Sequence, residues 1–213
     1  MTIHRQQTVI CPSCGSKGRY DRYLSASAQD PEARARVLDG SVFQYACPYC
    51  GAVSPVESSL FYHDAERRLA VQYVAGDDDA EAFERMLAGL RRLMPAGDGW
   101  RVRSVASPGE LIEKALIAEQ GLDDRAVELL KALAAAELAQ IKPGFAAEAC
   151  FLDRGDGDGK LIFAFMDAAG AMLAMPFDSG LCASRAAGLA GSPDTERRVD
   201  AAWARAFWAS RRP

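Results

Sequence analysis

The chain is 213 residues long, 49% hydrophobic and 25% charged with a net charge of −4, the composition of an ordinary soluble protein with enough chain for one large or two small domains. No global basic field points to nucleic acid, Met1-Thr2-Ile3-His4-Arg5-Gln6-Gln7 lacks the apolar core of a signal peptide, and no run approaches the roughly 20 apolar residues that span a bilayer. Six cysteines, four of them in CxxC pairs, fit a reducing compartment better than a disulfide scaffold, so a cytoplasmic location is expected.

In chain order, Gln7-Thr8-Val9-Ile10 reads as a strand delivering Cys11-Pro12-Ser13-Cys14-Gly15, and residues 19–27 read as the strand leaving it. Asp30-Pro31-Glu32 opens a short helix, with aspartate as N-cap and proline at the first helical position, and Asp39-Gly40 ends it. Val42-Phe43-Gln44-Tyr45-Ala46 leads as a strand into a second frame, Cys47-Pro48-Tyr49-Cys50-Gly51, and residues 52–57 lead out. Leu60-Phe61-Tyr62-His63-Asp64 and Leu69-Ala70-Val71-Gln72-Tyr73-Val74 then predict a hairpin that extends the same sheet.

Asp77-Asp78-Asp79 leads into an amphipathic helix near residues 78–94 with apolar Phe83, Met86, Leu87, Leu90 and Leu93, closed by Pro95 and Gly97. Residues 100–105 read as a strand, and Ser107-Pro108-Gly109-Glu110 as a capping box. Helices near residues 109–120 and 123–140 follow, the second presenting Val127, Leu130, Leu133, Leu138 and Ile141. Lys142-Pro143-Gly144 is the expected boundary between a first domain, residues 1–141, and a second, residues 142–213. The second domain reads as three strands, residues 145–152, 161–166 and 171–177, then a helix near residues 181–189 and a last helix from Pro193 with Ser192 as its cap and Val199, Trp203, Ala206 and Phe207 on one stripe. In that reading Trp208 borders a partner surface. The fold class is therefore α+β: an N-terminal zinc-ribbon-like antiparallel sheet with helices, followed by a small antiparallel β-meander with C-terminal helices.

The two pentapeptide frames carry the chemistry. Two thiolates three positions apart can face one ion, the proline stiffens the turn between them, and the glycine can take the left-handed conformation that frees backbone N–H groups to point at sulfur. Two such knuckles supply four sulfurs, which closes a tetrahedral site and leaves no position for water or substrate. Cys11, Cys14, Cys47 and Cys50 are thus the expected ligands of a structural zinc ion. Four thiolates also accept iron, as in rubredoxin-like electron carriers, and Tyr20, Tyr45 and Tyr49 lie close by in sequence. Zinc is preferred because nothing else in the chain resembles a redox partner site.

The doubled Cys-Pro-x-Cys-Gly frame, the Asp-Pro-Glu helix, the Leu38-Asp39-Gly40-Ser41-x-Phe43 approach to the second knuckle, Tyr62-His63-Asp64, and Glu110-Leu111-Ile112-Glu113-Lys114 running into Gly121-Leu122-Asp123-Asp124-Arg125 together resemble the CpXC-domain family over roughly residues 8–135. The resemblance implies that the four knuckle cysteines hold the metal. It implies no activity and carries over no other residue.

Other signals have plainer readings. Cys47-Pro48-Tyr49-Cys50 is also the dithiol of glutaredoxins, but Gly51 and Pro55 follow where a helix is required. Asp153, Asp156 and Asp158 suggest calcium, yet the register puts Arg154 and Phe165 where calcium loops need acidic ligands, so a hairpin turn is expected. His63 beside Asp64 reads as a strand-end polar residue, and Cys150 and Cys182 as small buried apolar groups. There is no P-loop, no Gly-x-Gly-x-x-Gly and no His-Glu-x-x-His, so no catalytic residue is nominated. Function then divides three ways: a zinc-stabilised protein-interaction or regulatory module, a nucleic-acid-binding zinc ribbon, or an enzyme with an unrecognised site. The first is preferred, with another protein or a second copy of the chain as partner and no membrane. Nucleic acid is disfavoured because residues 1–75 hold eight Lys and Arg against seven Asp and Glu.

Overall fold

A computed structural model of the chain describes residues 1–76, 85, 88–89, 99–153, 160–189, 191 and 194–211. Contacts divide it into two compact units, Met1–Ala115 and Leu116–Pro213.

The first unit is built on a five-stranded sheet in the order β1-β2-β5-β6-β7, from Ile3–Ile10, Lys17–Ser27, Leu60–Asp64, Leu69–Tyr73 and Arg101–Val105. The β1/β2 and β5/β6 pairs are antiparallel, while β2/β5 and β6/β7 are parallel, so the expected hairpin does extend the first sheet, as part of a mixed one. Every residue of β5 and β6 is buried. A strand covered on both faces shows no polar alternation, and here the polar His63, Asp64 and Gln72 are buried along with the apolar residues. Helix α1, Pro31–Leu38, begins where expected: the Asp30 carboxylate accepts from the Ala33 N–H at 3.2 Å, and Ala33 and Val37 turn inward.

The stretch before the second knuckle differs in detail from its sequence expectation. Ser41–Phe43 forms a 3-10 turn entered through left-handed Gly40 (φ 78°), and only Gln44–Ala46 is strand, β3, paired with β4, Val53–Pro55. This pair is a separate two-stranded sheet. Val42 and Phe43 are buried by the turn, which is why an apolar run there mimics a strand.

Helix α2, Pro108–Glu119, starts with the predicted capping box: the Glu110 N–H donates to the Ser107 hydroxyl at 3.2 Å, and the Glu110 carboxylate accepts from the Ala106 N–H at 2.8 Å. The division between the units falls within this helix.

The second unit holds α3, Asp124–Ile141, a meander of β8, Ala147–Asp153, β9, Lys160–Asp167, and β10, Met172–Asp178, then α4, Ser179–Leu189, and α5, Ala201–Ala209. The sheet order is β10-β9-β8, antiparallel throughout. Central β9 turns Leu161, Phe163 and Phe165 inward at a spacing of two. These meet Ala126, Val127, Leu129, Leu130, Ala134 and Leu138 of α3 in one core. On α3 the buried stripe is therefore shifted from expectation: Val127, Leu130 and Leu138 are inside, but Leu133 and Ile141 are exposed. By its contacts α3 sits with β8, α4 and α5.

The last helix starts later than expected. Residues 194–200 are not helical, and Asp200, whose carboxylate accepts from the Trp203 N–H at 2.9 Å, is the N-cap. Ala204 is its fully buried residue, Ala206 is exposed, and Val199 is buried ahead of the helix. Trp208 packs on the unit's own core beside Trp203 and Phe207, with the Arg185 guanidinium over its ring at 5.1 Å. The expected aspartate-led helix near residues 78–94 with its apolar stripe, the Ser192-Pro193 start, and Asp156 and Asp158 fall on residues outside those described, save isolated positions of the first. None of the helices among the described residues is long and apolar enough to cross a membrane.

Candidate metal centre

The four cysteines of the two frames come together. Cys11, Cys14, Cys47 and Cys50 place their sulfurs within 4.8 Å of one another, and among the described residues this is the one group of three or more His, Cys, Asp or Glu side chains so arranged. Sulfur pairs Cys11/Cys50 and Cys14/Cys47, each crossing from one frame to the other, lie 3.7 Å apart. Ligands at ~2.3 Å from a shared tetrahedral centre are about 3.8 Å apart, so the spacing fits an ion held by four sulfurs.

Each frame folds the same way because each has the same sequence punctuation. In the first, the Gly15 N–H donates to the Cys11 carbonyl and the Cys11 N–H to the Ser16 carbonyl, both at 2.9 Å. In the second, Gly51 donates to Cys47 at 3.0 Å and Cys47 to Ala52 at 2.9 Å. Gly15 and Gly51 both have φ 73°, the left-handed region that disfavours a side chain, although a Cβ would meet nothing within 4 Å at either. Conformation, and not crowding, selects glycine here. β1 and β2 carry the first frame, and β3 and β4 the second.

Backbone donors tune the sulfurs. Burial pushes the Cys47 thiol up, but the N–H groups of Cys50 and Tyr49 and the neighbouring thiols outweigh it and bring the pKa down to about 6. The Ser16 hydroxyl and N–H lower that of Cys14. At Cys50 the Ala52 N–H works downward, yet Cys14, burial, Cys47 and Cys11 push the thiol up to about 12. Crowding thus sets the thiols against one another, each thiolate making the next harder to form. A divalent ion relieves that repulsion, and the donor set is one that zinc or iron accepts.

Cys11 and Cys47 are buried, whereas Cys14 and Cys50 are exposed. Behind the buried pair lies a small cluster of Tyr20 and Tyr45 with partly buried Val9 and Val56. The Tyr20 hydroxyl donates to the Val42 carbonyl, which ties the first hairpin to the turn that leads into the second. Burial first, then a side-chain hydrogen bond with Cys47 and the charges of Cys47, Cys11 and Cys14, raise the Tyr45 phenol to about 12. Sequence reading places both tyrosines near the site by proximity along the chain, but gives Gly18 no part. That residue of β2 lies against the Tyr45 ring, so close that a Cβ would stand 1.9 Å from the phenolic oxygen. The signal available was a glycine inside a strand pattern, which marks a close approach.

The remaining candidates do not join the cluster. His63 Nε2 lies 3.0 Å from the Met1 amine, and Asp64 receives Gln29 at 3.0 Å and Arg67 at 2.7 Å. Cys182 is buried in the second unit's core, where burial and the Asp123 charge raise its thiol to about 11, and Cys150 packs at the edge of that core. Asp153 ends β8 and is exposed.

Comparison with known proteins agrees with this geometry. No curated protein and no solved structure matches the chain. The family described as CpXC protein matches residues 8–131, a stretch that contains both cysteine frames, the five-stranded sheet except the start of β1, and the capping box of α2. The doubled frame, the clustered sulfurs and a match over more than half of the chain place it: this protein belongs to the CpXC family.

Proposed function

We propose that the four cysteines hold one zinc ion as a structural cross-link, and that the metal-bearing end of the first unit is a protein-interaction module. The observation that carries the first part is the cross-frame sulfur spacing of 3.7 Å, which suits a closed tetrahedral site with no open position for substrate. Its work is mechanical. The cluster behind the sulfurs contains only two buried tyrosines beside the cysteines themselves, too little apolar surface to hold two hairpins together. Bound zinc supplies that missing folding energy in small domains, and here it would tie β1/β2 to β3/β4.

Ile10, Tyr49 and Val53 support the second part. Each lies within three residues of a cluster cysteine, and they are 63%, 69% and 61% exposed. An aromatic residue on the second knuckle's turn and two β-branched residues at the adjoining ends of β1 and β4, held out beside the metal site, suit a protein partner better than phosphate. The test is elemental analysis with chelation. One zinc per chain is expected, with loss of the first unit's structure when a strong chelator removes it. Iron at one equivalent would transfer the reading to electron transfer. A photo-crosslinking residue at position 49 should then join the protein to a second copy or to one defined partner, and capture of nucleic acid instead would overturn the interaction reading.

A further inference from the structure

We infer that the Tyr45 hydroxyl, entering through a notch at Gly18, donates a hydrogen bond to the metal-bound Cys47 sulfur and so sets how tightly that sulfur holds its ion. The inference rests on the proposed metal site and deepens it.

Tyr45 lies in β3 and Cys47 just past its end, two residues on, and both are buried while Ala46 between them is exposed, so the two side chains turn to the same side. It is 2% exposed and packs with Cys11 and Cys47. Its phenolic oxygen is sealed from solvent and makes no hydrogen bond of full geometry, while the Cys47 thiol is close enough to act on it through a hydrogen bond. Burying a hydroxyl without a partner costs about 1–3 kcal/mol, and phenylalanine would fill the same space without that cost. The hydroxyl of neighbouring Tyr20 is not in this position, since it donates to the Val42 carbonyl.

Gly18 gives the second observation. It sits in β2, opposite Val9, with no left-handed φ to explain it. A Cβ there would stand 1.9 Å from the Tyr45 oxygen and 2.9 Å from Cζ, so the strand is cut back to backbone where the hydroxyl enters. The space is reserved for an O–H group beside the sulfurs. Four thiolates on a divalent ion carry excess negative charge, and such sulfur accepts a hydrogen bond from a fixed donor. A donor of this kind draws electron density from sulfur and steadies the bond to metal, as outer partners of metal ligands do.

The test uses the full chain loaded with cobalt(II), whose sulfur-to-metal charge-transfer band reports electron density on the thiolates. Tyr45→Phe is expected to keep the tetrahedral ligand-field bands, to move the charge-transfer band to lower energy, and to release metal to a chelator about tenfold faster, the lower end of the roughly 10–100-fold effects of outer partners. Gly18→Ala, which pushes the hydroxyl away while keeping it, should shift the band in the same direction and carries the test if Tyr45→Phe does not fold. Tyr20→Phe should lower the melting temperature and leave the band unmoved. A Tyr45→Phe protein with the wild-type band and release rate overturns the inference while leaving the metal site standing. A wild-type chain that gives no tetrahedral thiolate spectrum overturns both.

Discussion

His63 has its ring 3.0 Å from the Met1 ammonium and is 8% exposed. Burial and then that ammonium hold its pKa below the ordinary value, against the opposing pull of the Met1 carbonyl and Asp64. The folded form therefore takes up a proton at lower pH than the unfolded chain. Stability from this residue is fully present above pH ~6.5 and is lost as pH falls below it. Asp64 adds a second loss in more acid solution: despite its burial, Arg67 and Gln29 keep the folded carboxyl lowered. The melting temperature of the wild type should thus drop between pH 7.5 and 5.5 more steeply than that of His63→Gln. Parallel curves would remove His63 from the account. At this scale the cysteines were legible, and the seating of Tyr45 against Gly18 was not. Cys11, Cys14, Cys47 and Cys50 announce themselves by spacing, whereas the fit of Tyr45 to Gly18 depends on two hairpins meeting, which no local pattern encodes.

Among the elements, α5 shows how far periodicity reaches. An aromatic stripe predicted a docking helix, and Trp203 and Phe207 do pack on the second unit's core. The start was misplaced because Asp200, an equally good N-cap, lies downstream of Ser192, and Trp208 turned inward because α4 offers Arg185 to its ring. α5 should therefore support the unit and not a partner. Removing residues 200–213 is expected to destabilise it by several kcal/mol, since Ala204, Trp203, Phe207 and Trp208 all leave the core. A truncated chain that melts with the wild type would contradict this. The strands of the meander were legible from turn residues and alternation, while the shifted stripe on α3 was not, because an alanine-rich helix can present several faces and the sheet beneath it chooses one.

Across the whole molecule the two units invite different questions. Ile141, Lys142, Pro143 and Gly144 are exposed, so a protease should cut there. The packing of α3 on β8, α4 and α5 gives the outcome: the nicked chain stays associated, and the fragment from residue 145 onward does not fold once separated, because a three-stranded meander loses the helix that covers it. A separated fragment with native-like near-UV circular dichroism would make residues 142–213 an independent domain. The α+β class and the order of strands and helices could be read from the chain. The parallel β2/β5 and β6/β7 pairings could not, since they join segments distant in sequence.

The central claim is the four-sulfur ion. X-ray absorption at the zinc edge of freshly purified full-length protein tests it most directly, since it counts and measures the ligands without reference to activity. One zinc per chain in a single shell of four sulfurs at ~2.3 Å is the predicted result. A shell with oxygen or nitrogen in place of any sulfur, or less than half an equivalent of bound metal, would contradict it.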